Sequence, residues 1–539
     1  MADSVNRLLR YGQLATTAAL LEAAEILRNA LSLLLPRLAR PNSPEDILPR
    51  LVDAVGAAAQ RQLGALVGDD AELRRVWEIV DLVLAVIRGC LRFGLAVHPK
   101  GFDAIDEYDW RDWLRLNGAS EAALDSAFLR GIYDLMFAYE GGDASRPRFA
   151  AGVALRGAMR MFFTYRGSLF FRMSAGMGDV VFAPLHEVLR RRGVIFRFFH
   201  RLRDVRLAPT PPDDPPFVDR LIFDVQAEVA GGGEYLPLVD VLGLPCWPSR
   251  PLYGQLVDGE RLEREGWAFE SQWETRRAGT KALRVTEDFD LVVLGVGLGA
   301  IPWVARELVD RSPAWKACVT ACKTVATQAF QIWMTAGLAD LGWTGAPASV
   351  SGFVEPFDTW ADMTHLLPVE RWKGPTRSVA YFCSVLPEPP PSGVAEGPAY
   401  VASRNAEVRE NAVRFLNHDI HWLWPKAARR GGGFRWEVLA VADEAAIAPG
   451  REGEARFDAQ FWHASVDPSD RYALSLPGTI QHRISPLDRT FDNLTVAGDW
   501  TASGLNSGCV ESAVMSGLLA AHAIAGIPYL EDIIGYDHP

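Results

Sequence analysis

The fold is decided by residues 492–526, which read DNLTVAGDWTASGLNSGCVESAVMSGLLAAHAIAG. A short buried strand is predicted over Leu494–Ala497, and Asp499 follows it as a hydrogen-bond acceptor. Gly508 allows the backbone to turn tightly and to approach a ligand. The helix predicted over Gly508–Ala525 begins with free N–H groups and a positive dipole end, which favour an electron-rich or anionic group. The stretch therefore predicts a strand and a helix joined by a ligand-facing turn.

This pattern resembles the C-terminal FAD-binding signature of the flavin amine oxidase and phytoene desaturase superfamily, and most closely its plant-type carotenoid desaturase branch. By that resemblance, Asp499 hydrogen-bonds a flavin-chain hydroxyl. The N–H groups around Cys509 and Val510 face the flavin pyrimidine, which carries negative charge in reduced flavin. Glu511 continues the helix, as the family's Glu-Gly-Ala does, and Trp500 lies near the cofactor. The resemblance implies an oxidoreductase whose cofactor is FAD.

Two further segments resemble the same superfamily. Residues 176–205 are similar to its helix–strand unit, where a residue near Val205 touches the adenine. Phe289–Leu294 and the following GVGLGA are similar to its return strand beside the pyrophosphate. As an independent G-x-G-x-x-A fingerprint the glycine run is weak, because it lies mid-chain, Pro302 crowds the helix start and no clean βαβ unit follows. The predicted cofactor-binding residues are Val205, Gly295, Gly297, Gly498, Asp499, Trp500, Gly508, Cys509, Val510 and Glu511.

The superfamily normally begins with a strand, a GxGxxG turn and a helix, followed by an acidic residue about 20 positions further on. Residues 1–100 contain no such element and are helix-rich. Three explanations compete for the missing ADP-binding unit. A second polypeptide supplies it, or the gene is truncated or its start misassigned, or the chain has lost flavin and acts as a scaffold.

The order of predicted elements indicates an α/β fold that is α+β in part, because helices come first and strands then alternate with helices. We predict a helical region over 1–165. A Rossmann-like FAD-binding domain that lacks its first βαβ unit is predicted over 166–310 and 485–535. A substrate-binding α+β domain is predicted over 311–484.

Composition limits the class of protein. The 539 residues are 49% hydrophobic and 23% charged, which is typical of a globular protein. A net charge of −12 argues against a nucleic-acid-coating role. Six scattered Cys without a CxxC pair indicate a reducing cytosol, hence a cytoplasmic location. The uncharged stretch Ser512–Leu530 is interpreted as a buried helix ending at Gly526, and peripheral membrane contact stays open.

Flavin-dependent amine oxidases place a Lys near flavin N5, whereas the corresponding strand here offers Gln328, with Lys323 only at its start. This departure favours desaturase-like or isomerase-like chemistry, in which flavin accepts hydride. Trp360 and His365 are candidates for a substrate pocket, with core packing as the alternative. No catalytic residue is assigned and no metal site is predicted, since the HDIH pair at 418–421 has no third ligand nearby in sequence.

The sequence therefore predicts an FAD-dependent oxidoreductase that removes hydride from an apolar or amine substrate. The alternative is a non-catalytic partner or scaffold subunit of a flavoprotein, with the missing fingerprint as its main support. A third class is a carrier of apolar ligands that performs no redox chemistry.

Overall fold

The structure, a computed structural model, describes residues 71–168, 170–211, 214–346, 348–372, 374–388, 397–429, 432–441 and 452–536. The part of the predicted helical region on residues 1–70 lies outside these ranges. The helices are α1 (Ala71–Arg92), α2 (Trp110–Leu116), α3 (Glu121–Leu124), α4 (Ala127–Leu135), α5 (Ala151–Phe163), α6 (Ala183–Arg191), α7 (Gly259–Arg264), α8 (Ile301–Val304), α9 (Arg306–Arg311), α10 (Pro313–Ala321), α11 (Pro398–His418) and α12 (Val510–Ala525).

The strands of the same ranges form sheets of two, three and five members. They are β1 (His200–Leu207), β2 (Val218–Val225), β3 (Val239–Val241), β4 (Leu244–Cys246), β5 (Gly279–Arg284), β6 (Val292–Leu294), β7 (Thr324–Val325), β8 (Thr327–Met334), β9 (Ser349–Val350), β10 (Thr359–Asp362), β11 (Ser378–Val385), β12 (Phe461–Ser465), β13 (Tyr472–Ala473) and β14 (Leu494–Val496). The prediction of a mixed helix and sheet fold is confirmed.

The helices α1 to α5 share one apolar core. Their starts follow ordinary capping rules: the Asp109 carboxylate accepts from the first-turn amides of α2, and Ser126 Oγ accepts from Leu129 N–H in α4. A Cβ on Gly89 would lie 2.2 Å from the Trp113 ring, so α1 needs glycine there to approach α2. The core extends to Leu474 and its neighbours, which places α5 beside the chain leading to the C-terminal motif.

The largest sheet is antiparallel, with the strand order β12-β8-β11-β10-β9. Side chains along β8 alternate between buried and half-buried positions, which is the period of a strand. Fully buried Phe330 packs against the rings of Phe357 and Phe382 at centroid distances of 4.7 and 4.6 Å. Helix α11 contributes Phe415 to the same core.

The predicted strand before Asp499 forms β14, which pairs in parallel with β6. Helix α12 follows and ends at Ala525, where Gly526 adopts a left-handed conformation with φ 73°. Both the strand and the helix were predicted from the sequence. Among the helices of the described ranges, none combines the length and apolar character that a membrane crossing needs.

The sequence also suggests a strand over 194–199, because apolar residues dominate there, and this prediction is wrong. Residues 194–198 form neither helix nor strand, and β1 begins only at His200. In the described ranges the amides of 195–198 donate to no other backbone group. A strand requires a neighbouring strand to accept its hydrogen bonds, and among the described residues no strand pairs with 194–198.

Candidate functional site

The first feature of the site is the turn that follows β14. Gly498 has φ 147°, and a Cβ on it would lie 2.8 Å from Trp500 Nε1, so this position requires glycine. Its N–H donates to Ser516 Oγ at 2.8 Å. The end of β14 is therefore tied to the middle of α12.

Trp500 joins the two parallel strands at their carboxyl ends. Its side chain is buried, and Nε1–H donates to Val296 O at 3.0 Å, just beyond the end of β6. In open α/β sheets, ligands bind in the crevice outside the carboxyl ends of the strands. The predicted cofactor-binding residues 498–500 therefore lie at the edge of the sheet where a ligand is expected.

Gly508 is required by a close approach of protein rather than by an unusual backbone conformation. A Cβ on it would lie 2.4 Å from the Tyr472 ring. Burial, followed by the nearby Cys509 and Asp499, raises the pKa of Tyr472. Tyr472 stacks edge-on against Phe137 at 5.2 Å, which connects the site to the helical region. Sequence reasoning missed Tyr472, since no motif marks it.

The N-terminus of α12 presents amide groups that no side chain caps. Cys509 is the N-cap residue, with φ −153° and ψ 161°, and it makes no capping hydrogen bond. Val510 and Glu511, in the first turn, are both exposed. Burial raises the pKa of the Cys509 thiol. First-turn amides and the helix dipole together favour an electron-rich group at this position.

Asp499 is half-buried and lies beside a buried arginine. Burial raises the pKa of Asp499, and the Arg483 charge opposes that rise. Arg483 Nη1 donates to Asp499 O at 2.9 Å, and Nη2 donates to Ser475 Oγ at 3.0 Å. Arg483 thus holds the backbone of the turn through the Asp499 carbonyl, and its charge favours the ionised Asp499 carboxylate. The sequence around Arg483 gave no signal of this role.

The glycine run after β6 contacts protein. A Cβ on Gly297 would lie 2.5 Å from Ser469 O, and one on Gly299 would lie 2.2 Å from Pro468 O. Gly295 is exposed and has open space around it. Val205 lies fully buried on β1. The contacts of Gly295 and Gly297 with pyrophosphate and of Val205 with adenine stay predictions.

Gln328 is held entirely by protein groups. It is buried, its Nε2 lies 3.0 Å from Val385 O and 3.1 Å from Ser384 Oγ, and its Oε1 accepts from Asn411 Nδ2 at 3.0 Å. The amide is therefore a structural element of the large sheet. Trp360 is fully buried and packs edge-on against Trp343 at 4.9 Å, so core packing describes it better than a pocket does.

Among the described residues, no group of three His, Cys, Asp or Glu side chains is placed to hold a metal ion. His418 ends α11, and His421 follows in a short 3₁₀ turn.

The arrangement fits one end of FAD. The turn at Asp499 and the uncapped amides of α12 offer an acceptor and donors beside the ends of two parallel strands. They suit a hydroxyl of the flavin chain and the electron-rich pyrimidine, respectively. For the ADP end, the glycine run between β6 and α8 is open only at Gly295, because Ser469 O and Pro468 O lie against Gly297 and Gly299.

Comparison with known proteins gives a family match for the C-terminal part of the chain. Residues 445–525 match the family of flavin containing amine oxidoreductases. A solved oxidoreductase from Methanosarcina mazei is similar over 76% of this chain and 66% of its own length, at 10% identity and a TM-score of 0.40. No curated protein matches the sequence.

The family match includes β14, Asp499 and α12. It confirms the resemblance to the flavin amine oxidase superfamily that the motif predicted. It supports an oxidoreductase enzyme, and the flavin-containing family is consistent with FAD as the cofactor. The plant-type branch stays a prediction.

Proposed function

We propose that this protein is an FAD-dependent, desaturase-like oxidoreductase that removes hydride from an apolar substrate. The observation that carries the proposal is the motif at the carboxyl ends of β6 and β14, with Asp499 and the uncapped N-terminus of α12 side by side. The family match over 445–525 supports the same class of enzyme.

Bound FAD supplies the hydride acceptor for such a reaction. Asp499 would hold a hydroxyl of the flavin chain, and the amides of Val510 and Glu511 would stabilise negative charge on the pyrimidine. Arg483 would keep the Asp499 turn in place through its backbone carbonyl. These residues would orient and stabilise the cofactor.

An apolar substrate is favoured over an amine because of Gln328. By the resemblance to amine oxidases, Gln328 corresponds to their Lys near flavin N5. Protein groups satisfy its amide. It therefore offers no cation or base to an amine. In desaturation, a hydride would pass to the flavin and a proton to solvent water as the C=C bond forms, so the protein mainly positions the substrate against the flavin.

The proposal includes a second chain that supplies the ADP-binding βαβ unit. Strand β6 has β14 on one side and, in the described ranges, no strand on the other. Val293 is half exposed, and α12 exposes Val510, Val514 and Leu518 along one stripe. Parallel sheets are normally covered on both faces. The open edge and the apolar stripe support a missing strand and helix at this place.

The first experiment is a visible absorption spectrum of the chain expressed alone and then with proteins encoded beside it. We expect flavin bands at about 370 and 450 nm only in the co-purified complex, since flavin is the absorbing group. A small partner with its own GxGxxG turn would support the two-chain enzyme. Protein that is colourless in both preparations would contradict the proposal.

The second experiment removes the Asp499 carboxylate. Asp499→Ala in the assembled protein should weaken flavin binding about tenfold, the effect of losing a charge-assisted hydrogen bond. Asp492→Ala is the control, because Asp492 is an exposed carboxylate before the same strand. Unchanged flavin content and turnover in Asp499→Ala would show that the cofactor site is assigned wrongly.

The incomplete parallel sheet also favours a second candidate, a non-catalytic subunit that binds a complete flavoprotein. In that case the partner would hold flavin by itself and keep its activity without this chain. Flavin retention by the isolated partner separates the two candidates.

A further inference from the structure

The exposed segment between α5 and α6 combines aromatic rings with arginines. It comprises residues 164–168 and 170–174, which we call the aromatic loop. Phe170 and Phe171 are 68% and 74% exposed, and Tyr165 is also exposed. Two such side chains in sequence are unusual on a surface in water, because burying each would be favourable by about 1.5–3 kcal/mol.

The charged residues along the sequence on either side of these rings are all of one sign. Between Asp143 and Asp179 the sequence contains no acidic residue, although the whole chain carries a net charge of −12. Arg166 and Arg172 flank the two phenylalanines, and both are exposed. The surface therefore complements a partner that is apolar in its interior and anionic at its boundary.

The loop is attached to the predicted substrate-binding domain. His365 Nε2 lies 2.9 Å from Met173 O, and His365 is in the 3₁₀ segment Thr364–Val369, between β10 and β11. A partner that covers the loop would therefore lie beside that domain.

We propose that the aromatic loop is a membrane-docking segment that places Phe170 and Phe171 in the interface of an anionic lipid bilayer. Arg166 and Arg172 lie at the level of the lipid headgroups, where each cation adds electrostatic attraction. Insertion is shallow, so the irregular backbone keeps its contact with water. The proposal rests on the proposed function to the extent that an apolar substrate is expected to partition into lipid.

The test is co-sedimentation of the full chain with vesicles of phosphatidylcholine, and with vesicles in which about one third is phosphatidylserine. We expect binding to the anionic vesicles that salt weakens. Phe170→Ser with Phe171→Ser should lower the partition coefficient at least about tenfold. Arg166→Gln and Arg172→Gln should each lower it about fivefold, and only on anionic vesicles.

Trp422→Ser is the matched control, because Trp422 is 70% exposed and lies far along the chain from the aromatic loop. All these side chains are on the surface, so the melting temperature of each variant should equal that of the parent chain. Equal vesicle binding by the phenylalanine variant and the Trp422 control would overturn the proposal. A dimer that dissociates only in the phenylalanine variant would also overturn it, because a second copy would then be the occupant.

The membrane-docking proposal and the proposed enzymatic function can be disproved independently. If the assembled protein carries flavin and turns over a detergent-dispersed substrate but does not bind vesicles, only the docking proposal is wrong. If the chain binds vesicles through the aromatic loop but no preparation contains flavin, only the proposed function is wrong.

Discussion

The two sheets that frame the site differ in completeness. In the antiparallel sheet, β8 has neighbours on both edges, and Phe330 lies fully buried among other rings. In the parallel pair, β6 has one neighbour within the described ranges, and both Leu291 and Val293 are about half exposed. The central strand of the antiparallel sheet is therefore paired on both edges and packed in a core. The parallel pair leaves one edge and part of one face uncovered.

This difference indicates which sheet the chain can stabilise by itself and which sheet needs a second chain. An antiparallel sheet tolerates one solvated face, but a parallel sheet is almost always covered on both faces. A pair of strands is also marginal without further strands or a packed helix. We infer that the large sheet is stable in the isolated chain, and that the parallel pair reaches its final stability only with the proposed ADP-binding unit.

The largest expected effect is in the complete sheet. Phe330→Ala should lower the free energy of unfolding by about 3–5 kcal/mol, because it leaves a cavity in a core that cannot collapse easily. Urea denaturation of the isolated chain measures this change. A loss below about 1 kcal/mol would show that the large sheet is not the stable part and would remove the basis of the comparison.

The second prediction concerns pH and the same sheet. Burial and the charge of Asp134 raise the pKa of Asp358, which precedes β10, to about 8. The folded state therefore holds this proton more tightly than the unfolded state does. Stability should fall as the pH rises from about 4 to about 8, by up to about 1.4 kcal/mol per unit.

Asp358→Asn removes that titration, so its unfolding free energy should decline less steeply over the same window. Asp134 keeps a slope of its own in the variant, because burial raises its pKa as well. Slopes should be compared rather than absolute values, since the new amide changes the local hydrogen bonds. Parallel slopes for parent and variant would show that Asp358 is ionised in the folded protein.

The sequence correctly predicted the elements whose residue pattern lies within one short segment of the chain. Strand β14 and helix α12 were predicted because an apolar run, glycines and a helical period follow one another within 35 residues. The strand over 194–199 was predicted wrongly from the same kind of signal. Its apolar composition is real, but a strand also needs a neighbour, and no local pattern reports whether one is present.

The site was predicted less completely, for a related reason. Tyr472 and Arg483 reach Gly508 and Asp499 from segments 36 and 16 positions away along the chain, and neither belongs to a motif. Gly297 was singled out for approach to a ligand, yet the nearest obstacle to a side chain there is Ser469 O. A glycine in a sequence predicts a close approach but does not say to what.

The third prediction tests how the parallel pair is held together. Trp500→Phe removes the donor to Val296 O, which joins the ends of β14 and β6. Losing this part-buried hydrogen bond should cost about 0.5–1.5 kcal/mol. The matched control is Trp315→Phe, because Trp315 is equally buried in the same core and its Nε1 has no partner in the described ranges. Equal losses would mean that ring volume, and not the hydrogen bond, holds the pair.

The smallest effect on the isolated chain is expected from Val293→Ser. Val293 is 50% exposed on the open side of β6, so the variant should stay within about 0.5 kcal/mol of the parent chain in urea denaturation. With the ADP-binding unit present, the same side chain would be covered, and its loss should weaken association about fivefold. Val97→Ser is the control, since Val97 is a valine exposed in the helical region.

The Val293→Ser variant must be as stable as the parent chain in isolation and must also associate more weakly with the ADP-binding unit. Only these two results together support the difference in completeness between the sheets. A stable variant that still assembles normally would place the ADP-binding unit elsewhere on the surface. A variant that is destabilised by more than about 1 kcal/mol in isolation would show that this face is already covered in the free chain. In that case the parallel pair would be as complete as the antiparallel sheet, and flavin binding would not need a second chain at this edge.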